Sequence, residues 1–260
     1  LPKILWLRNH ELTRFNEVRH ILLPKDYIRY RLTQTLGTEV SDASGTGILD
    51  VRQRTWSSEM LARLELDAQL FPPVAESHEV QGRTVGVPGL EDGVPVVGGG
   101  GDQAAGAVGT GAVQPGIISV SLGTSGVVFA AVNEPQYDPT DATHTFCHAN
   151  EGWHRMGVML SCGGAVNWLR DTLFPGESFD RITELAATVE PGARGLAFLP
   201  YLAGERSPHN DPYLRGAFAG LTLAHGRAEM ARAVFEGVTF GLRDGYAAIT
   251  GAGAPDAGVA

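Results

Sequence analysis

The chain has 260 residues, 43% of them hydrophobic, and its 20 basic and 29 acidic side chains leave a formal charge of -9. That length buries a sizeable core, as one large domain or two smaller ones, and the hydrophobic content excludes a disordered protein. The acidic balance excludes a general nucleic-acid surface or an anionic-membrane surface, so any phosphate recognised here is held locally, by amides, hydroxyls, metal and a few cations.

Residues 3–10 (KILWLRNH) are a short apolar segment running into a helical pattern. Pro24 interrupts the next stretch, and residues 26–32 resume as a helix expected to be capped near Gly37. Residues 38–47 are small and polar, which reads as a turn cluster, with a ligand-facing loop as the other reading. A strand is expected at 48–51 and a helix at 57–64 with Trp56 at its start, broken by Pro72 and Pro73. Residues 75–92 carry Gly82, Gly86 and Gly89 and predict a short strand with connecting loops.

The chain is organised around residues 94–109 (VPVVGGGGDQAAGAVG), in which Asp102 is the one charged side chain. The β-branched run at 94–97 predicts a buried strand, and the four following glycines let the backbone turn sharply. Asp102 is thereby delivered to the lip of an opening. The Ala/Gly run behind it suits close packing against another backbone. Two readings of Asp102 stand together: a helix N-cap, and a catalytic base.

Residues 117–130 (IISVSLGTSGVVFA) predict a strand, a tight turn and a second strand. The turn offers amides and two hydroxyls at a hairpin tip, which can hold phosphate oxygens or be no more than a hairpin turn. After a polar loop at 135–143, strands are expected at 143–148 and 153–159 as antiparallel partners. His144, His148 and His154 lie on them without a carboxylate pattern and read as structural rather than metal-binding.

Residues 161–170 (SCGGAVNWLR) start a helix whose first turn, at Gly163 and Gly164, is expected to expose amide donors, either for an anion or simply for close packing. A buried strand is expected at 196–202, followed by a charged loop at 204–211 that either carries function or knits the fold together through ion pairs. From about Ala228 a long amphipathic helix follows, with Met230, Ala233, Val234, Gly237, Val238 and Gly241 on one small-residue face. Cys147 and Cys162 read as free buried thiols, in keeping with a reducing cytoplasm. No run is apolar enough to span a bilayer. The chain opens on Leu1 and ends in a Gly/Ala-rich stretch, which reads as an internal fragment of a longer protein.

Two segments carry a family resemblance. Residues 3–10 resemble the first signature of the FGGY carbohydrate kinases. Residues 216–221 (GAFAGL), with Glu229, Met230 and the run 233–236, resemble the second. Between them, Gly101-Asp102-Gln103 and residues 122–126 (LGTSG) stand in the family's order. Within that family, 22–27 (LLPKDY), 41–46 (SDASGT), 144–148 (HTFCH) and 157–160 (GVML) look most like the xylulokinase branch.

The resemblance implies an α/β architecture of the actin-like ATPase (ribonuclease H-like) kind, two α/β domains flanking a cleft, both incomplete here. Residues 1–110 would be the later part of the first, sugar-side domain, and 111–260 the early part of the second, ATP-side domain. It implies Asp102 as catalytic base and sugar contact, and Gln103 as a second sugar contact. Gly123, Thr124, Ser125, Gly163, Gly164 and Asn167 would contact ATP. Mg²⁺ is implied, without identified protein ligands.

The expected reaction is phosphorylation of a ketose, D-xylulose to D-xylulose 5-phosphate, in the full-length parent. Ribulose, glycerol or a related polyol is the alternative substrate, and a non-catalytic sugar- or nucleotide-binding regulator the alternative role. The expected setting is cytoplasmic, with a small sugar and ATP as partners, no nucleic acid or membrane, and a homodimer as a compatible assembly. The family's N-terminal phosphate turn and its adenosine motif lie outside this sequence, so the 260-residue chain alone is expected to show little kinase activity.

Overall fold

The structure, a computed structural model, describes residues 1–251; the Gly/Ala-rich end at 252–260 lies outside the described residues. The chain divides into two compact units: Leu1–Gln114 with Ala131–Pro135 and Thr145–His154, and Pro115–Ala130 with Gln136–His144 and Arg155–Ala260.

The first unit opens with helices α1 (Pro2–His10), α2 (Leu12–Glu17) and α3 (Pro24–Thr33). Proline stands in the first turn of α1 and α3, where a helix has no use for the missing N–H. Helix α3 stops short of the expected Gly37: Gln34 adopts the left-handed C-cap conformation at φ 60° and donates its amide to Tyr30 O at 2.7 Å. Gly37 instead allows close packing, because a Cβ there would collide with the Gln81 side chain and crowd Arg29.

The segment at 38–47 is not an open polar loop. It forms β1 (Thr38–Glu39), α4 (Val40–Ala43) and a 3-10 turn at Ser44–Thr46, and Thr38, Glu39, Val40, Ser41, Ala43 and Ser44 are buried. Several of its polar groups satisfy one another, the buried Thr38 Oγ1 excepted: Glu39 accepts from the amides of Ser41 and Asp42, and Ser44 Oγ donates to Val40 O at 2.7 Å. Hydrogen bonding of this kind removes the cost of burying polar side chains.

Strands β2 (Leu49–Asp50) and β3 (Thr55–Trp56) form a small hairpin, and helix α5 (Ser58–Arg63) is capped by Ser57 Oγ, which accepts from Met60 N at 3.2 Å. Ile48, Leu61, Leu66 and Phe71 make a core beside Trp56, whose Nε1 donates to Pro72 O at 2.7 Å. Strand β4 (Val74–Ala75) pairs in parallel with β1, and β5 (Val80–Arg83) pairs antiparallel with β6 (Pro95–Val97), after which helix α6 (Asp102–Thr110) follows. The expected burial at 94–97 is not found: Val94 and Val97 are 43% and 46% exposed. Among the described residues β6 has β5 as its sole ladder partner, so no second strand covers it.

The hairpin of β7 (Ile118–Leu122) and β8 (Gly126–Val132) sets Ile118 opposite Ala130 and Leu122 opposite Gly126. With β9 (His144–Cys147) and β10 (Trp153–Met159) it makes a sheet of order β7-β8-β10-β9, so the two expected partner strands are neighbours. Cys147 and Cys162 are free and buried, as their apolar settings predict.

In the second unit, helices α7 (Gly163–Leu173) and α8 (Phe179–Ala187), strands β11 (Ala197–Leu199) and β12 (Ala217–Ala219), and helix α9 (Arg227–Gly251) enclose a core built on Leu169, Phe174, Ile182, Phe198 and Val234. Helix α9 carries its buried small residues as a stripe, Ala233, Gly237, Gly241 and Gly245 among them, as the spacing predicts. The close approach is real: a Cβ on Gly157 would lie 3.1 Å from the Cα of Gly245, and one on Gly237 would strike Phe198 O. The segment at 196–202 is less buried than expected. Phe198 faces the core at 4% exposure while Leu199 is 42% exposed, because among the described residues β11 pairs with β12 alone and turns only alternate side chains inward. Among the described residues no helix is long and apolar enough to cross a membrane.

Candidate active site

In the first unit, β6 leads into the glycine run at 98–101 and then into α6. The run is tied down at three amides: Gly98 N donates to Glu79 O and Gly99 N to Ser77 O, each at 3.0 Å, and Gly101 N donates to Ser41 Oγ at 3.0 Å. Glycine is required at two of these places for different reasons. Gly99 has a left-handed φ of +85°, and a Cβ on Gly98 would lie 3.0 Å from Glu39 Cβ and 3.1 Å from Glu76 O.

Gly101, not Asp102, is the N-cap of α6; Asp102 is its first helical residue. The cap reading of Asp102 therefore falls, because the backbone turns into the helix one residue earlier. The exposed carboxylate accepts from the Gln103 amide through Oδ1 at 2.8 Å, and Gln103 follows it on the same first turn. The close backbone packing expected behind Asp102 is not found at Gly106 or Gly109, where a Cβ would meet open space; Ala104 and Ala107 are the buried positions of α6.

Beneath the glycine run lies a charged group that the sequence reading passed over. Glu39, fully buried, accepts from Ser41 N and Ser41 Oγ at 2.8 Å, Asp42 N at 2.9 Å and Ser77 Oγ at 2.5 Å. Lys25 Nζ stands 3.2 Å from Glu39, 2.8 Å from Asp26 and 3.6 Å from Asp42. Burial raises the Glu39 pKa, but the Ser77 hydrogen bond, the Lys25 charge and the bonds from Ser41 and Asp42 outweigh it and hold the group below its ordinary value. Asp42 goes the other way, raised by burial first and then by its acidic neighbours against the pull of Lys25. The sequence signal for Glu39 was slight: one of two acidic residues, with Asp42, in a run of small polar ones.

In the second unit the hairpin tip at Gly123, Thr124 and Ser125 meets the start of α7. Gly163 N donates to Gly123 O at 2.8 Å, and Gly164 N and Cys162 N donate to Thr124 O at 3.0 Å. The helix start therefore does not expose the amides of Gly163 and Gly164, as the sequence suggested; the tip carbonyls consume them. What the tip leaves over is its own donors. Among the described residues, the amides of Thr124 and Ser125 meet no protein acceptor.

Ser125 Oγ donates to Leu160 O at 3.3 Å, and Leu160 N donates to Glu205 Oε1 at 2.8 Å, so the charged loop at 204–211 braces the tip from behind. Burial raises the Glu205 pKa against the amide hydrogen bonds it accepts from Leu160 and Arg206. Gly123, Thr124, Gly163 and Asn167 line a cavity of 460 Å³ with Val166, Phe179 and Phe235. Its size and mixed lining fit a nucleotide-sized ligand.

The three histidines do not converge on a metal. His148 Nε2 lies 3.2 Å from Ala112 O, and His154 packs edge-on against His148 and Phe146. Among the described residues no group of three His, Cys, Asp or Glu side chains could hold a metal ion.

Residues 1–109 match the N-terminal domain of the FGGY family of carbohydrate kinases and residues 118–258 its C-terminal domain. A xylulose kinase of Klebsiella pneumoniae is 46% identical over 248 residues, covering 94% of this chain and 51% of that protein. The crystal structure of a xyloylose kinase from Brucella ovis superposes with a TM-score of 0.91 at 41% identity, over 99% of this chain and 54% of that one. A gluconate kinase from Lactobacillus acidophilus gives a TM-score of 0.89 at 33% identity, over 95% and 51% of the two chains. The chain thus spans about half the length of the curated relatives it matches. Its fold is the actin-like ATPase fold of the sugar kinases, and the chain belongs to the FGGY family of carbohydrate kinases.

Proposed function

We propose that the protein carrying this chain phosphorylates a ketose with ATP, D-xylulose to D-xylulose 5-phosphate, and that Asp102 is the general base. The observation that carries this reading is the placement of Asp102: an exposed carboxylate on the first turn of α6, launched from a glycine run that is tied down at three amides. The sugar hydroxyl attacks the γ-phosphorus while the Asp102 carboxylate accepts its proton, and ADP leaves. Gln103, next on the helix, is the companion sugar contact.

In the second unit, the amides of Thr124 and Ser125 are the donors available to phosphate oxygens, in the manner of a backbone nest. Gly163 and Gly164 hold that tip in shape through its carbonyls, and Asn167 borders the cavity beside it. ATP supplies the phosphoryl group when bound. Mg²⁺ in such reactions is held by phosphate oxygens, water and one or two carboxylates. The described residues offer no three-residue ligand cluster for it.

The xylulose assignment draws on the relatives named xylulose kinase, and the gluconate kinase likeness favours a second reading, another polyol or sugar acid with the same base. The test is ADP release by the full-length protein with Mg²⁺ and ATP across D-xylulose, ribulose, glycerol and gluconate, beside Asp102→Asn. Turnover on D-xylulose that collapses in the variant supports both sugar and base. Preference for another polyol overturns the sugar, full activity in the variant overturns the base, and sugar binding without turnover points to a regulator.

A further inference from the structure

We propose that Glu39 is a positioning residue for Asp102, holding the hydroxyls of Ser41 and Ser77, two residues that grip the glycine run at 98–101 from two sides through the Ser41 hydroxyl and the Ser77 main-chain carbonyl; this rests on Asp102 being the base.

The geometry is a two-armed clamp. On one arm, Gly101 N donates to Ser41 Oγ at 3.0 Å and Ser41 Oγ donates to Glu39 Oε2 at 2.8 Å. On the other, Gly99 N donates to Ser77 O at 3.0 Å and Ser77 Oγ donates to the same Glu39 oxygen at 2.5 Å. Each hydroxyl has one proton to give, and both give it to Glu39. For Ser41 this turns its lone pairs toward the Gly101 amide. A hydrogen bond to an ionised acceptor is shorter and stronger than one between neutral groups, so the charge on Glu39 is what stiffens both arms.

The clamp closes on the residues that set the direction of Asp102. Gly101 is the N-cap of α6, immediately before Asp102, and Gly98 is packed so that a Cβ would lie 3.0 Å from Glu39 Cβ. Gly101 likewise leaves only 3.4 Å between a Cβ and the Asp42 Cα. A run of four glycines has few intrinsic restraints, so its conformation must be imposed from outside. Lys25, 3.2 Å from Glu39 Oε1, keeps the buried carboxylate from standing as an uncompensated charge. A base displaced by about 1 Å loses on the order of 100-fold in rate, so the clamp has a catalytic consequence at a residue that touches no substrate.

Ser41→Ala isolates the arm, because Glu39 still accepts the Ser41 and Asp42 amides that cap α4. The full-length protein is assayed with Mg²⁺, ATP and its preferred sugar beside Ser41→Ala, Ser41→Thr, Glu39→Gln and Asp102→Asn. Hydrogen exchange of the segment 98–102 is followed in each. In Ser41→Ala, kcat is expected to fall about 10- to 100-fold with both KM values within about two-fold, thermal stability close to wild type, and faster exchange confined to that segment. Ser41→Thr, which keeps the hydroxyl, is expected to recover most of the rate, and Glu39→Gln to lose at least as much as Ser41→Ala.

A wild-type kcat in Ser41→Ala while Asp102→Asn is dead overturns the positioning role and leaves the base standing. Full activity in Asp102→Asn overturns the base instead. Unchanged exchange at 98–102 in Ser41→Ala overturns the clamp even in a protein that turns over none of the sugars, and a rate loss matched by general unfolding assigns Glu39 a structural role only.

Discussion

The amide of Gly163 donates to the carbonyl oxygen of Gly123 across 2.8 Å, and a Cβ on Gly163 would stand 2.6 Å from that same oxygen. The hairpin tip and the first turn of α7 are thus in backbone contact, and no side chain fits between them. Gly163→Ala is expected to push the tip outward, lowering stability by about 1–3 kcal/mol. Nucleotide affinity is expected to fall about ten-fold or more. Calorimetric titration of ATP together with a thermal melt checks both; unchanged affinity would detach the tip from nucleotide binding.

Gly237 makes a purely structural counterpart. It sits on the buried stripe of α9 where a Cβ would strike Phe198 O, and the partner is backbone of β11 rather than a flexible side chain. Gly237→Ala is expected to cost about 2–3 kcal/mol despite the better helix propensity of alanine. Denaturant unfolding measures it. A gain in stability would show that β11 can shift away from α9.

Asp102→Asn keeps size and polarity and removes the proton acceptor. It is expected to lower kcat by about 100- to 10,000-fold with little change in the KM for sugar. Steady-state kinetics of the full-length protein decide it; a change confined to KM would make Asp102 a binding residue.

Acid should weaken the fold in two stages. Burial, and then the neighbouring His148, lower the His154 pKa from 6.5 to about 3. The unfolded chain therefore binds a proton that the folded one resists, and stability falls as pH drops from about 6.5 toward 3. Asp138 follows at lower pH. Burial works against it, but hydrogen bonds from the hydroxyls and amides of Thr140 and Thr143 bring its pKa from 3.8 to about 2. Its contribution, at most about 2 kcal/mol, is complete above pH ~4 and is lost as pH falls toward 2. Melts across pH 3 to 7 should show His154→Leu flattening the upper part of the decline, and Asp138→Asn altering only the lower part.

Local pattern made much of this chain legible. The stripe on α9, the strand-turn-strand at the hairpin tip, and the turn that delivers Asp102 follow from helical period, β-branched runs and glycine placement, all of which act between neighbours in sequence. What only the tertiary structure decided are the partners across long separations. Ser77 reaches Glu39 over 38 residues and Gly101 reaches Ser41 over 60, which turned an expected polar loop at 38–47 into a buried clamp. The amides of Gly163 and Gly164 went to carbonyls about 40 residues earlier in the chain rather than to solvent. Whether a polar group is spent inside the fold or left for a ligand depends on which distant segment arrives beside it, and no periodicity within one segment encodes that meeting.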